Sequence, residues 1–127
     1  MKEVIATDKA PGAIGPYSQG IAAFGRLVFV SGQLPVDMST GALADGIKAQ
    51  TNASLSNLKS ILAAYGCALE DVVKTTVFLS DMNNFVDMNS VYAEYFPQNP
   101  PARSAVEVAR LPKDAMVEIE CIAIKKD

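Results

Sequence analysis

The stretch MVEIECIAIK, residues 116–125, determines which faces of the predicted β-sheet must be covered by other layers of protein. Side chains alternate between the two faces of a β-strand, and this stretch is apolar on both faces. One face carries Val117, Ile119, Cys121 and Ala123. The other face carries Met116, Ile122 and Ile124, together with the acids Glu118 and Glu120. Because strands with two apolar faces are usually covered on both, we predict a layer of protein on each side.

Hydrophobic periodicity in the preceding sequence predicts two amphipathic helices. The first begins near Ile47, repeats leucines at helical spacing, and ends at Gly66, a residue suited to the position after a helix. The second covers residues 85–96 and is stopped by Pro97.

Runs of β-branched and aromatic residues predict six strands. They cover residues 3–6, 21–24, 27–30, 72–79, 102–108 and 116–125. Gly25 and Arg26 predict a tight hairpin between the second and third of these strands. The turn residues at 111–114 predict that the last two form a long antiparallel pair.

The predicted order is β-β-β-α-β-α-β-β, which is typical of an α+β protein with a mainly antiparallel sheet and both helices on one face. Two helices cover only one side of such a sheet. We therefore expect the other side to pack against another copy of the protein, which makes it a homo-oligomer.

The composition indicates one globular domain, residues 1–127. Half of the residues are hydrophobic and 20% are charged, which excludes a disordered chain and a membrane span. The net charge is −3 and the basic residues are scattered, so we expect no nucleic-acid partner and no membrane partner.

The chemistry open to the chain is limited because it contains no histidine. A Ser-His-Asp site and an imidazole metal site are excluded, and we expect neither a metal nor a cofactor. Cys67 and Cys121 are far apart in apolar surroundings and predict buried free thiols. With no secretion signal recognised, the expected compartment is the cytoplasm.

Arg103 opens a predicted strand that is otherwise small and apolar. A guanidinium entering a buried sheet face needs an anionic partner. That partner is either the carboxylate of a ligand or an internal acid such as Glu118 or Glu120, and the residues alone favour the internal salt bridge.

Glu118 and Glu120 share a face in an otherwise apolar strand. If this face is buried, a carboxyl group on it can act as a general acid or base. If the face is exposed to solvent, both residues are ordinary solvated acids. The Glu-Ile-Glu alternation alone favours the solvated alternative.

Three further residues are weaker candidates for ligand contacts. Tyr17, held between Pro16 and Ser18, presents a phenol that either meets a ligand or plugs its loop against the core. Ser31 and Gly32 follow an apolar strand, where glycine lets a ligand approach the main chain, although a strand often simply ends at glycine.

Several stretches together resemble the RidA/YjgF family of enamine/imine deaminases. They are residues 13–20 (AIGPYSQG), 31–35 (SGQLP), 73–79 (VKTTVFL), 101–104 (PARS), 106–113 (VEVARLPK) and 117–120 (VEIE). The resemblance covers nearly the whole chain, in order. It implies a chorismate-mutase-like α+β fold and a homotrimer with three clefts between neighbouring subunits.

The resemblance also assigns site residues and thereby reverses both preferences stated for the charged groups. It implies that Arg103 binds the substrate carboxylate and that Glu118 activates water. It further implies substrate contacts by Tyr17 on the cleft wall, by Ser31 and Gly32, and by Asn89 on the second helix. The sequence departs from many relatives at Ala105, where they have cysteine, so no thiol is expected to act here.

The function implied is hydrolysis of reactive 2-enamino and 2-imino acids, such as 2-aminoacrylate, to 2-oxo acids and ammonia. This is the activity of a 2-iminobutanoate/2-iminopropanoate deaminase, which removes compounds that damage other enzymes. The alternative is a regulatory trimer that binds 2-oxo acids in the same clefts without turnover. Ribonuclease activity, attributed to parts of the family, is disfavoured by the acidic charge.

Overall fold

The computed structural model describes residues 2–126 and contains eight strands and two helices. The strands are β1 (Lys2–Ile5), β2 (Gly20–Ala23), β3 (Arg26–Gln33), β4 (Val36–Asp37), β5 (Ala42–Leu43), β6 (Val72–Leu79), β7 (Ala102–Glu107) and β8 (Val117–Lys125). The helices are α1 (Ile47–Ala64) and α2 (Phe85–Tyr95). Both helices and all six predicted strands are confirmed, and the structure adds the short hairpin β4–β5.

The main sheet has the strand order β3-β8-β6-β7. Strand β8 is antiparallel to β3 on one side and to β6 on the other, while β7 runs parallel to β6. The predicted α+β class with a mixed, mainly antiparallel sheet is therefore confirmed. Because β8 lies between the two other long strands, it occupies the centre of the sheet.

The predicted hairpin of β2 with β3 is wrong. Strand β2 pairs with β1 instead, in a separate two-stranded sheet, and β3 pairs with β8. Pairing with β8 gives the eight residues of β3 a long partner and buries Val30 beneath the helices, whereas β2 offers only four residues. The gain from long-range pairing outweighs the local turn signal at Gly25.

The predicted antiparallel pair of β7 with β8 is also wrong. These strands do not touch as a ladder, because β6 lies between them. The connection from β6 to β7 contains α2, and a crossover of this kind returns the chain parallel to the strand it left. The helix therefore decides the direction of β7.

The hydrophobic core lies between the helices and one face of the sheet. Leucines of α1 and Met88 and Tyr92 of α2 pack on the inward residues of β6 and β8. Helix α1 ends as predicted: Gly66 has φ 78°, and the amide groups of Gly66 and Cys67 donate to Ala63 and Leu62. Both cysteines are buried free thiols, as predicted.

The opposite face of the main sheet, here called the outer face, is left largely uncovered by residues 2–126. On it, Phe29 is 69% exposed, Leu27 58% and Val106 43%. Glu118 and Glu120 also point to this face, since they alternate with the buried residues of β8. Within residues 2–126, no helix is long and apolar enough to cross a membrane.

One buried polar pair joins the sheet to α2. The hydroxyl groups of Thr75 and Tyr92 lie 2.7 Å apart, and neither side chain reaches solvent. We expect Thr75→Val to lower the free energy of unfolding by about 1–3 kcal/mol, because it leaves the Tyr92 hydroxyl buried without a partner.

Adding Tyr92→Phe removes that hydroxyl, so the double variant should regain part of the stability lost on Thr75→Val. Denaturant unfolding at one fixed protein concentration measures both effects. Simple addition of the two single losses in the double variant would contradict this account.

Candidate functional site

Arg103 lies on the edge strand β7, on the same face of the sheet as the two helices. Its register partner is Thr75, which is fully buried under α2. Because no strand follows β7, the arginine side chain stands at the open margin between the sheet and α2. There it is half-buried rather than enclosed.

The guanidinium group of Arg103 is surrounded by neutral groups. Its Nη1 donates to Oδ1 of Asn89 at 2.6 Å. Its Cζ lies 4.8 Å from the ring centre of Tyr92, 5.5 Å from that of Tyr17 and 5.6 Å from that of Phe85. Three aromatic rings thus attract the cation through their π faces, while the amide fixes one of its donors.

Within the described residues, the Arg103 guanidinium contacts one amide oxygen and three aromatic rings. No carboxylate of these residues contacts it. Burial lowers the pKa of this group below its usual value, and the tyrosine hydroxyls act in the opposite direction. A partly desolvated cation without a counter-charge is chemically suited to bind an anion.

The irregular loop before β2 places Tyr17 beside Arg103. The Ser18 amide donates to the carbonyl of Pro101 at 3.1 Å, and its hydroxyl donates to that of Pro100 at 2.5 Å. These bonds fasten the loop to the start of β7. The side chain of Gln19 holds the loop from within, through hydrogen bonds to the backbone of residues 7–11.

A second group of predicted residues meets on the outer face. Between the pairs Val30↔Cys121 and Gln33↔Ile119, β3 has two residues where β8 has one, so Ser31 and Gly32 form a β-bulge. A Cβ atom added to Gly32 would lie 1.9 Å from Oε2 of Glu118. Only glycine therefore leaves room for this carboxylate against the bulge.

One chain does not bring these two groups together. Arg103 is level with Thr75 on the helix face, whereas Glu118 is level with Phe78 on the outer face. Strand spacing and the rise per residue place their Cα atoms about 14 Å apart, on opposite sides of the sheet. A salt bridge from Arg103 to Glu118 or Glu120 within the chain is not formed.

The structure thus joins Tyr17 and Asn89 to Arg103, and Gly32 to Glu118, with Ser31 beside Gly32 in the bulge. Phe85 and Tyr92 also neighbour Arg103 and were not among the predicted site residues. Their spacing from Asn89, at four and three residues, puts all three on one helical face and would have indicated them. Ala105, two residues after Arg103, faces the same side and packs against the core.

The described residues offer little for metal or thiol chemistry. Among residues 2–126, no group of three or more Cys, Asp or Glu side chains lies close enough to hold a metal ion. Burial raises the pKa of the Cys121 thiol to about 12, which keeps it protonated at neutral pH.

These features define a class: an α+β protein with a half-buried arginine ringed by neutral groups on one sheet face and a carboxylate on the other. The sequence pattern described as Endoribonuclease L-PSP matches residues 7–125. The chain therefore belongs to the RidA/YjgF family, and its α+β arrangement is the chorismate-mutase-like fold found there.

Known proteins are similar over the full length. A RutC family protein of Pyrococcus horikoshii is 58% identical, covering 99% of this chain and 100% of the relative. The 2-iminobutanoate/2-iminopropanoate deaminase of Salmonella typhimurium is 50% identical, with coverage of 99% and 100%. The crystal structure of Escherichia coli TdcF with bound serine is 46% identical, with a TM-score of 0.76 and coverage of 98% and 99%.

The contact of Gly32 with Glu118 is open to a direct test. We expect Gly32→Ala to push the carboxylate out of its position but to lower the free energy of unfolding by less than about 1 kcal/mol, because the displaced oxygen is the end of a flexible, half-buried side chain. Denaturant unfolding and a crystal structure of the variant measure the two effects.

The matched control is Gly12→Ala, where an added methyl meets no atom within 4 Å. This variant should leave both the stability and the Glu118 rotamer unchanged. An unmoved Glu118 side chain in the Gly32→Ala structure would show that the contact does not position it.

Proposed function

We propose that this protein hydrolyses reactive 2-imino and 2-enamino acids to 2-oxo acids and ammonia. Arg103 binds the substrate carboxylate, and Glu118 of a neighbouring copy activates the attacking water. Tyr17 forms the wall of the cleft, Ser31 and Gly32 line it beside Glu118, and Asn89 acts on Arg103.

The observation that carries this proposal is the uncompensated charge of Arg103. Its Nη1 is engaged by Asn89, which leaves further N–H donors for a carboxylate. Aromatic rings surround the group, so a planar carboxylate conjugated to a C=N bond fits beside them. Bound in this way, the substrate presents C2 in a fixed orientation.

The chemistry asks little more of the protein. Glu118 takes a proton from water as its oxygen attacks C2, which forms a carbinolamine. The protonated Glu118 then passes that proton to the nitrogen. As the C–N bond breaks, Glu118 takes the proton of the carbinolamine hydroxyl and releases it to solvent, so ammonia and a C=O group result. An enamine first takes a proton from water at C3 and becomes the iminium ion that is attacked. One positioned base and one positioned carboxylate suffice for these steps.

The enzyme class rests on relatives. Proteins 47–50% identical over nearly the full chain are named 2-iminobutanoate/2-iminopropanoate deaminase, and this chain is an enzyme of that type, a hydrolase of C–N bonds. TdcF, with bound serine, holds a molecule that carries a carboxylate. A cytoplasmic role in removing damaging metabolites belongs to the same proposal.

Assembly into a homotrimer is part of the proposal, because one chain leaves the site incomplete. Arg103 and Glu118 lie on opposite faces of the sheet, so a shared site needs a second copy. The uncovered outer face, with Phe29 and Leu27 exposed, supplies an apolar surface for that copy. Association of the subunits would then both cover this surface and complete the site.

Kinetics of the two charged residues test the proposed roles. We expect Arg103→Met to lower kcat/KM by about a hundred-fold or more, mainly through KM, because charge-assisted hydrogen bonds to the carboxylate are lost. Glu118→Gln should lower kcat by about 10²- to 10⁴-fold. The assay generates the imine with an amino-acid oxidase and follows 2-oxo acid formation.

The controls are Arg110→Met and Glu70→Gln, which change exposed residues of the same charge. Both should retain the activity of the wild type. If the wild type accelerates no imine but binds 2-oxo acids through Arg103, the protein is a regulatory binder and the catalytic proposal fails.

Mixing inactive variants tests whether the site is shared. When Arg103→Met and Glu118→Gln chains are unfolded together and refolded as one mixture, about a quarter of the interfaces in a random trimer join an intact arginine to an intact glutamate. We expect activity to return to roughly that fraction. Mixing without refolding is the control, and no recovery after co-refolding would place both residues in one chain's site.

A further inference from the structure

The bulge beside Glu118 is held by one side chain of its own strand and by two side chains of α1. These three side chains hydrogen-bond to the backbone of residues 31–36. Nε2 of Gln33 donates to the carbonyl of Ser31 at 3.2 Å, Oγ of Ser54 donates to that of Gln33 at 2.9 Å, and Nδ2 of Asn57 donates to that of Val36 at 2.8 Å.

Ser54 is the central member of this group. It is fully buried in α1, and its hydroxyl reaches out of the helix to the residue that follows Gly32. Strand β3 lies at the edge of the main sheet, so no further strand fixes the bulge on that side. The Ser54 hydroxyl takes over this task by satisfying the Gln33 carbonyl.

The position of Gly32 is transmitted to Glu118 by contact. The space where a side chain of residue 32 would stand is filled by Oε2 of Glu118. A shift of the bulge toward β8 therefore pushes the carboxylate away, and a shift in the other direction removes its support. The contact therefore couples the position of the bulge to that of the carboxylate.

We infer that Ser54 is a positioning residue for Glu118, acting through Gln33 and Gly32. This inference rests on the proposed role of Glu118 as the base that activates water. Ser54 itself lies in α1 under the sheet and acts on the reaction only by fixing the bulge. Since a displacement near 1 Å slows a positioned reaction substantially, the role concerns kcat.

The test compares two variants that each remove one buried hydroxyl from α1. Ser54→Ala frees the Gln33 carbonyl. Thr51→Val, the control, removes a fully buried hydroxyl that donates only within the helix, to the Ile47 carbonyl at 2.8 Å. Both should lose similar stability, but only Ser54→Ala should lower kcat, by about ten-fold with KM nearly unchanged.

A second measurement does not depend on activity. The ¹³C resonance of the Glu118 side-chain carboxyl, assigned by its loss in Glu118→Gln, should shift and broaden in Ser54→Ala and stay in place in Thr51→Val. The inference is overturned if Ser54→Ala changes neither kcat nor this resonance more than Thr51→Val does. If the wild type proves inactive, the proposed function fails, and the resonance alone then decides whether Ser54 positions Glu118.

Discussion

The alternation of side chains along β8 is the constraint on which the rest of this structure depends. Its inward residues, among them Ile119 and Cys121, bury the helices' apolar faces, and both helices must therefore lie on that side. Its outward residues include Glu118, which rests against the β3 bulge on a face the chain leaves open. The position of the carboxylate thus follows from the same period of two that builds the core.

Arg103 lies on the opposite face of the sheet from Glu118, the face that the helices cover. It is level with Thr75 beneath α2, and aromatic rings and an amide surround its charge without neutralising it. Separating a cation and a carboxylate by the thickness of a sheet prevents them from neutralising each other within the chain. Each stays available for a molecule that enters from outside.

The sequence predicts elements well and strand pairing poorly, for a physical reason. Helix ends near Ile47 and Gly66 follow from local periodicity and turn chemistry, and the structure confirms them. Pairing depends on residues distant in the chain, so local turn signals misled at β2–β3 and β7–β8. The local pattern indicates which strands are neighbours in sequence, but it does not show that a strand pairs better with a longer strand far away in the chain.

The site shows the same division. Arg103 and Glu118 stand out as charges in apolar strands, and Gly32 as a glycine at a strand end. The spacing that places Tyr92 on the apolar face of α2 does not distinguish packing under a sheet from packing under a guanidinium. Only the fold shows that Tyr92 does both, with its ring 4.8 Å from Arg103. That Arg103 and Glu118 lie on opposite faces likewise becomes visible only from the register of β7 and β8 with β6.

The central place of β8 has a consequence for protein synthesis. Among the eight strands of residues 2–126 it comes last, yet β3 and β6 meet only through it. During translation, β6 and β7 can pair before β8 emerges, but β3 has no ladder partner until then. The strand that joins the two parts of the sheet is therefore made after both of them.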